Sequence, residues 1–190
     1  MSKLPITQAP LTDLLVKRWS PRSFDETHEI SDQEILSILE AGRWAPSSNN
    51  GQPWRFSVAK RGTDLHKKAV AGLTGFNQAW APRASMLVVV STQRDDTGQA
   101  HAGNHYDAGL AVSLMSIQAQ AMEFYTHQMG GILHDQLQKD LGLSEDLEVI
   151  VVFAVGKIAA ADNLEGGAYK AELAPRTRLE LSEIVLHGKP

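Results

Sequence analysis

The sequence predicts a mixed protein of the α/β or α+β class, with helices packed on a central sheet. Segments with helical spacing alternate with strand-like segments along the chain. One strand-like segment, residues 86–92, is a continuous apolar run of the kind that is buried on both faces of a sheet. The 190 residues contain no repeat, linker or low-complexity tract. We therefore expect one domain that spans residues 1–190.

Three helices are predicted from capping residues and apolar spacing. Residues 31–44 begin with the capping box of Ser31 and Glu34 and continue with one apolar face. Residues 104–125 carry apolar side chains at helical spacing and few charges, which predicts a long, largely buried central helix. Residues 133–143 predict a further short helix.

The strand predictions rest on alternation and on apolar runs. Residues 54–60 alternate between apolar and polar side chains, as expected for a strand with one face in the core. Residues 86–92 and 147–157 are apolar runs, and the second is the strongest strand pattern of the chain. Residues 179–186 form a last strand-like stretch, after a predicted turn at Gly166–Gly167.

The composition limits the chemistry that is available. A formal charge of −4 and a pI near 6.0 give no overall attraction to nucleic acid or to anionic membranes. The absence of cysteine excludes disulfides, thiolate nucleophiles and Cys-containing zinc sites, so redox chemistry needs a bound cofactor. The longest apolar run, residues 149–155, is too short to span a bilayer, and the N-terminus lacks a signal-peptide core. We therefore expect a cytoplasmic protein.

Two basic clusters stand near opposite ends of the chain. In residues 17–22, Pro21 ends a predicted helix near Trp19, so Lys17, Arg18, Ser20 and Arg22 project from a turn. Arg176 and Arg178 form the second cluster. Each cluster by itself fits a solvated basic edge. Together, the two clusters could neutralise one dianion such as a phosphate.

Other motifs could indicate different mechanisms. His101 and His105 stand four residues apart, with Asp107 nearby, so one helix face could bind a metal. No third ligand has a recognised spacing, so we favour a solvent-facing helix start over a metal site and predict no bound metal. Gly130–Gly131 and Gly166–Gly167 lack the frame of a nucleotide-binding loop, and no serine stands in G-x-S-x-G.

Four stretches, taken in order, resemble the FMN-dependent nitroreductase family. They are RWSPRSF at 18–24, ILEAGRWAPSSNNGQPWRF at 38–56, HQMGGI at 127–132 and APRTRLELSEIVLHG at 174–188. The combination of R-x-S-x-R with P-S-S-x-N-x-Q-P-W is specific, and the matches span nearly the whole chain. The resemblance implies an α+β fold, a central, mostly antiparallel sheet surrounded by helices, and an intertwined homodimer with two FMN sites at the subunit interface.

The resemblance also implies roles for residues of this chain. Four residues around Trp19 and near the C-terminus would grip the FMN phosphate, and Arg22 would reach the pyrimidine edge of the flavin. The loop of residues 46–52, which by itself fits a turn, would come from the partner subunit and line the flavin ring. The remaining implied contacts lie beneath and beside the ring. The phosphate residues are Arg18, Ser20, Arg176 and Arg178, the loop residues are Pro46, Ser47, Ser48, Asn50 and Gln52, the ring contacts are Met129, Gly130, Gly131 and Asn77, and Trp19 is a further cofactor contact.

The implied activity is NAD(P)H-dependent reduction of a small electrophile, such as a nitro compound or a quinone, by ping-pong hydride transfer through FMN. Arg22 would act as an electrostatic stabiliser, and no protein acid or base is assigned. The family often has an aromatic residue or a cysteine just before the glycine pair. Here Phe124, Tyr125, His127 and Gln128 precede it, so we expect a reshaped substrate side. A flavin-binding protein without turnover is the alternative function.

Overall fold

Four antiparallel strands form the central sheet of the computed structural model, which describes residues 3–99 and 101–188. The strands lie in the order β1-β2-β4-β3, and each neighbouring pair is antiparallel. Their bounds are β1 Trp54–Lys60, β2 Met86–Gln93, β3 Tyr125–Met129 and β4 Leu147–Gly156. An antiparallel sheet with helices on both faces confirms the α+β class that the resemblance implies.

Within the described residues, seven α-helices accompany this sheet, and none is long and apolar enough to cross a membrane. Short 3-10 turns lie at Ser48–Asn50, Gly75–Ala79, Ala81–Arg83 and Ala161–Asn163. The helices are α1 Asp13–Lys17, α2 Asp32–Arg43, α3 Asp64–Ala71, α4 Ala102–Ala121, α5 His134–Asp140, α6 Gly166–Leu173 and α7 Leu181–Ile184.

The core lies on both faces of β2. The even-numbered residues from Met86 to Val90 pack with α2 and α4, whereas Leu87 and Val89 pack with α3 and α5. All of these side chains are fully buried. Because successive side chains of a strand point to opposite faces, a strand covered on both faces needs apolar residues at every position. This requirement explains the continuous apolar run.

Most predicted elements are confirmed. The strands predicted at 54–60, 86–92 and 147–157 agree with β1, β2 and β4 to within one residue. In α2, the Ser31 hydroxyl accepts from the Glu34 amide and the Glu34 carboxylate accepts from the Ser31 amide, which is the predicted capping box.

The prediction of one helix over residues 104–125 is wrong at its end. Helix α4 stops at Ala121, Glu123 adopts a left-handed φ of 61°, and the chain reverses into β3. The backbone hydrogen bonds of β3 come from its pairing with β4. Strand β3 was missed because its stability comes from this distant partner rather than from a local pattern.

The C-terminal prediction of a strand at 179–186 is also wrong. This stretch contains the short helix α7, at whose start the Glu180 amide donates to Glu183 Oε2 at 3.0 Å. Within the described residues the stretch pairs with neither edge of the sheet. An apolar pattern without a neighbouring strand does not form a ladder, so the local cap decides its conformation.

Candidate functional site

Three arginines from opposite ends of the chain converge in the structure. Burial, and then the charge of Arg178, lowers the pKa of the Arg18 guanidinium below its usual value. Burial also lowers the pKa of Arg176, and the charges of Arg18 and Arg178 add to this effect. Among residues 3–99 and 101–188, no carboxylate forms an ion pair with any of the three. The cluster is a concentration of positive charge that an anion would stabilise.

Arg176 ties the C-terminal segment to the N-terminal one. Its Nη1 donates to the carbonyl oxygens of Lys3 and Val16, both at 2.8 Å. Val16 lies in the last turn of α1, so this contact places Arg176 beside Arg18. Ser20 is exposed on the turn that follows. The structure therefore brings the four predicted phosphate contacts to one end of α1.

Arg22 lies on the same turn, and its side chain is half-buried. Its Nε is buried and has no hydrogen-bond partner among the described residues. Its guanidinium lies 5.6 Å from the ring centre of Phe76. A buried donor without an acceptor is costly in a folded protein, so this nitrogen points to an acceptor supplied by a ligand.

Gly130 and Gly131 follow β3 and differ in their surroundings. Nothing lies within 4 Å of the position that a Cβ on Gly130 would occupy. A Cβ on Gly131 would lie 2.8 Å from Thr74 Oγ1 and 3.0 Å from Asn77 Nδ2. Asn77 Nδ2 also donates to the Gly131 carbonyl at 3.2 Å. Gly131 therefore binds the 75–79 turn, and Gly130 faces open space beside it.

His127 lies against the turn that carries Pro21 and Arg22, and it is mostly buried. Its ring centre is 4.5 Å from that of Trp80, and its Nδ1 donates to the Pro21 carbonyl at 2.9 Å. Burial is the largest cause that lowers the pKa of His127 to about 4. The charge of Arg22 adds to the effect, and the Pro21 carbonyl opposes it. His127 is therefore neutral near pH 7, with its proton on Nδ1.

Three of the residues predicted to line the site have buried side chains. Phe124 is fully buried in the core and packs edge-on against His28, so it does not shape a substrate surface. The Met129 side chain is also in the core, at 2% exposure, so its backbone is the part beside the glycine pair. Trp19 is 7% exposed, and its ring packs edge-on against Tyr125 and supports the turn.

The loop of residues 46–52 has an unusual backbone. Asn49, Asn50 and Gln52 adopt left-handed φ values of 50°, 55° and 47°. The Ser48 amide donates to Asp107 Oδ2 at 3.0 Å, and the Gln52 amide donates to Ser47 Oγ at 3.1 Å. Three such residues in one loop store strain, which is tolerated where the surroundings hold the backbone and which is common at functional sites.

The 46–52 loop and the arginine cluster lie at opposite edges of the sheet. The loop leads into the edge strand β1, whereas Arg22 and Gly130 lie beside the other edge strand, β3. Three strand spacings separate these edges by about 14 Å. Within residues 3–99 and 101–188, no hydrogen bond joins the loop to the arginines or to the glycine pair. One chain does not bring all of the predicted site residues together.

The histidines considered as metal ligands have other partners. His101 caps α4 by accepting from the Asn104 amide, and His105 Nε2 lies 3.1 Å from Glu148 Oε2. Asp107 accepts from Ser48. In the part of the chain that the structure describes, no three His, Cys, Asp or Glu residues are grouped so that they could hold a metal ion.

Two residues of the site were missed by the sequence reasoning. The Arg22 guanidinium lies over the ring of Phe76. The only signal for Phe76 in the sequence was its position next to Asn77, which was a predicted contact. Glu172 is 4% exposed and accepts from the Arg22 amide at 2.7 Å. No local pattern marks Glu172, because its partner is 150 residues away.

Comparisons with known proteins identify the family of this chain. The model of the Nitroreductase family matches residues 15–73 and 62–157. A Helicobacter pylori protein named oxygen-insensitive NADPH nitroreductase is 30% identical over 161 residues, which cover 85% of this chain and 72% of that protein.

Solved structures show the same fold. A crystal structure described as an oxidoreductase containing FMN has 31% identity and a TM-score of 0.88, covering 97% of this chain and 94% of that one. A protein described as a nitroreductase, in complex with FMN, from Desulfovibrio desulfuricans has 25% identity and a TM-score of 0.76, covering 96% and 99%. The chain therefore belongs to the nitroreductase family.

Proposed function

We propose that this protein is an FMN-dependent oxidoreductase that uses NAD(P)H to reduce a small electrophile such as a nitro compound or a quinone. The observation that carries the proposal is the cluster of three guanidiniums that no described carboxylate pairs with. On the next turn, Arg22 has a buried Nε with no partner among the described residues, and both Arg22 and the glycine pair adjoin the 75–79 turn. These features fit a molecule with an anionic tail and a planar, acceptor-rich head. The relatives named as NADPH nitroreductase and as FMN-containing oxidoreductase support the same cofactors.

The residues of this chain have separate roles in the proposal. Arg18, Arg176 and Arg178 bind the FMN phosphate, with Ser20 as a further donor. Arg22 places a positive charge and a buried N–H donor at the ring edge, where negative charge develops on reduction. Neutral His127 adds no charge there. When bound, FMN would supply the two-electron chemistry between NAD(P)H and the acceptor.

The site is completed, in our proposal, by a second copy of the chain. The 46–52 loop lies at the sheet edge away from the arginines, so its Ser47, Ser48 and Asn50 reach a flavin only from a partner subunit. Large apolar side chains near the loop are exposed, including Trp44 at 72% and Tyr106 at 69%. Such a patch on a free monomer favours a homodimer.

The proposal is tested by anaerobic reduction of the purified protein. We expect a yellow protein with an FMN spectrum that bleaches on addition of NADH or NADPH and regains colour with a quinone or nitro compound. A flavin spectrum that persists would identify a flavin-binding protein without turnover. A protein that stays colourless and takes up no added FMN would refute the proposal.

The roles of the arginines are separable by two single variants. Arg22→Ala is expected to make the bound flavin harder to reduce while FMN is retained, because a positive charge at the ring edge is lost. Arg18→Ala is expected to weaken FMN binding by roughly tenfold, because a hydrogen bond to a charged group is worth about 1.5 to 3 kcal/mol. The midpoint potential and the FMN dissociation constant are the two measurements. An unchanged potential in Arg22→Ala would contradict its role.

A further inference from the structure

A buried carboxylate of helix α6 binds the backbone of the turn that carries Arg22. Glu172 is 4% exposed. Its Oε2 accepts from the Arg22 amide at 2.7 Å, and its Oε1 accepts from the Ser23 amide at 3.3 Å. Both carboxylate oxygens therefore hold consecutive amides of a segment about 150 residues earlier in the chain. An isolated carboxylate is rarely buried, and these two donors compensate its burial.

The same turn is held from two further sides. The His127 Nδ1–H donates to the carbonyl of Pro21, directly before Arg22. The Ser23 hydroxyl, directly after Arg22, lies 2.7 Å from Asn163 Oδ1 and also donates to the Ala160 carbonyl. The backbone on both sides of Arg22 is therefore fixed by groups from β3 and from the segment before α6. The guanidinium itself is not fixed in this way, since its Nε has no partner among the described residues.

We propose that Glu172 is a positioning residue for Arg22: it fixes the main chain so that the buried Nε is presented to the flavin before the flavin binds. This inference rests on the proposed function. A donor is most effective when its own position is held by neighbours, because no reorganisation is then needed on binding. Helix α6 thereby connects the C-terminal segment, which also carries Arg176 and Arg178, to the ring edge of the site.

The sign of one measurement separates positioning from simple electrostatics. Glu172 is negative, so removing its charge would by itself make a nearby flavin easier to reduce. Loss of the Arg22 position has the opposite effect, because the developing negative charge loses its cationic partner. We therefore expect Glu172→Ala to lower the midpoint potential of the bound flavin, in the same direction as Arg22→Ala.

The experiment compares Glu172→Ala, Glu172→Gln, Arg22→Ala, the Arg22→Ala/Glu172→Ala double variant and a matched control, Glu165→Gln, on the exposed start of α6. The potential is measured by anaerobic equilibration with reference dyes, and amide exchange of the 21–23 segment is measured in parallel. We expect faster amide exchange in Glu172→Ala. The midpoint potential should fall less in Glu172→Gln, which keeps one acceptor oxygen, than in Glu172→Ala, and it should not change in Glu165→Gln. The potential of the double variant should fall no further than that of Arg22→Ala, because both substitutions remove the same interaction between Arg22 and the flavin.

The outcomes distinguish the inference from the proposed function. If the wild-type protein binds no FMN, the proposed function fails and the inference falls with it. If FMN binds and Glu172→Ala leaves the potential unchanged or raises it, the positioning role alone is overturned, even where stability falls. Should Glu172→Ala fail to fold, Glu172→Gln decides: a negative shift supports the role, and a zero or positive shift overturns it.

Discussion

The same added methyl group should lower stability at one of the two adjacent glycines after β3 and weaken FMN binding at the other. In Gly131→Ala, the new Cβ would lie 2.8 Å from Thr74 Oγ1 and 3.0 Å from Asn77 Nδ2. Normal contacts are longer, so the 75–79 turn must move. That movement strains two hydrogen bonds to the Gly131 carbonyl, from the Thr74 amide at 3.0 Å and from Asn77 Nδ2 at 3.2 Å.

The size of the effect follows from these contacts. Overpacking costs about 1 to 3 kcal/mol, and the flexible ends of Thr74 and Asn77 favour the lower half of that range. We expect Gly131→Ala to lower the free energy of unfolding by about 1.5 kcal/mol, which at a urea slope of about 2 kcal/mol per molar moves the midpoint by about 0.7 M. Gly130→Ala meets no protein atom within 4 Å, so its apoprotein should be as stable as the wild type.

The assay is urea unfolding of both apoproteins at one protein concentration, followed by FMN titration. Gly130→Ala should bind FMN at least about tenfold more weakly, a loss of about 1.4 kcal/mol, because the methyl group enters the space proposed for the flavin. The reasoning is refuted if Gly130→Ala destabilises the apoprotein as much as Gly131→Ala. It is also refuted if Gly130→Ala binds FMN as the wild type does.

Two further predictions concern the supports of the site. His127 has a pKa lowered to about 4 from an ordinary value of 6.5. As the pH falls, His127 is therefore protonated at a higher pH in the unfolded chain than in the folded protein. Its contribution to the free energy of unfolding is fully present above pH 6.5 and is lost as the pH falls toward 4. The loss is up to about 3 kcal/mol. Urea midpoints at pH 7 and pH 5 should converge in His127→Gln, and an unchanged pH dependence would contradict this. Asp107→Ala should leave the Ser48 amide without its acceptor and destabilise the 46–52 loop by about 1 to 3 kcal/mol. Protease cleavage in the loop should then rise, whereas Asp107→Asn keeps an acceptor and should cleave slowly; equal cleavage of the two would argue against the contact.

Local sequence patterns predict those elements whose conformation depends on neighbouring residues of the chain. Strand β2 is covered on both faces, so its apolar run is readable without any knowledge of its neighbours. The cap of α2 is equally local, since Ser31 and Glu34 are three residues apart. Strand β3 and helix α7 were not predicted correctly, because the presence or absence of a partner strand decided their conformation.

The residue types of the candidate site were visible in the sequence, and the family resemblance marked most of them. The sequence alone determined that two arginine clusters, a glycine pair and a polar loop exist, and its lack of cysteine left redox chemistry to a cofactor. Tertiary structure decided which of these meet. Arg18 and Arg176 converge through a contact to Val16, the polar loop lies at the opposite edge, and Glu172 reaches Arg22 across the whole chain. The physical reason is that convergence depends on long-range packing and hydrogen bonds, which leave no periodic trace in the amino-acid order.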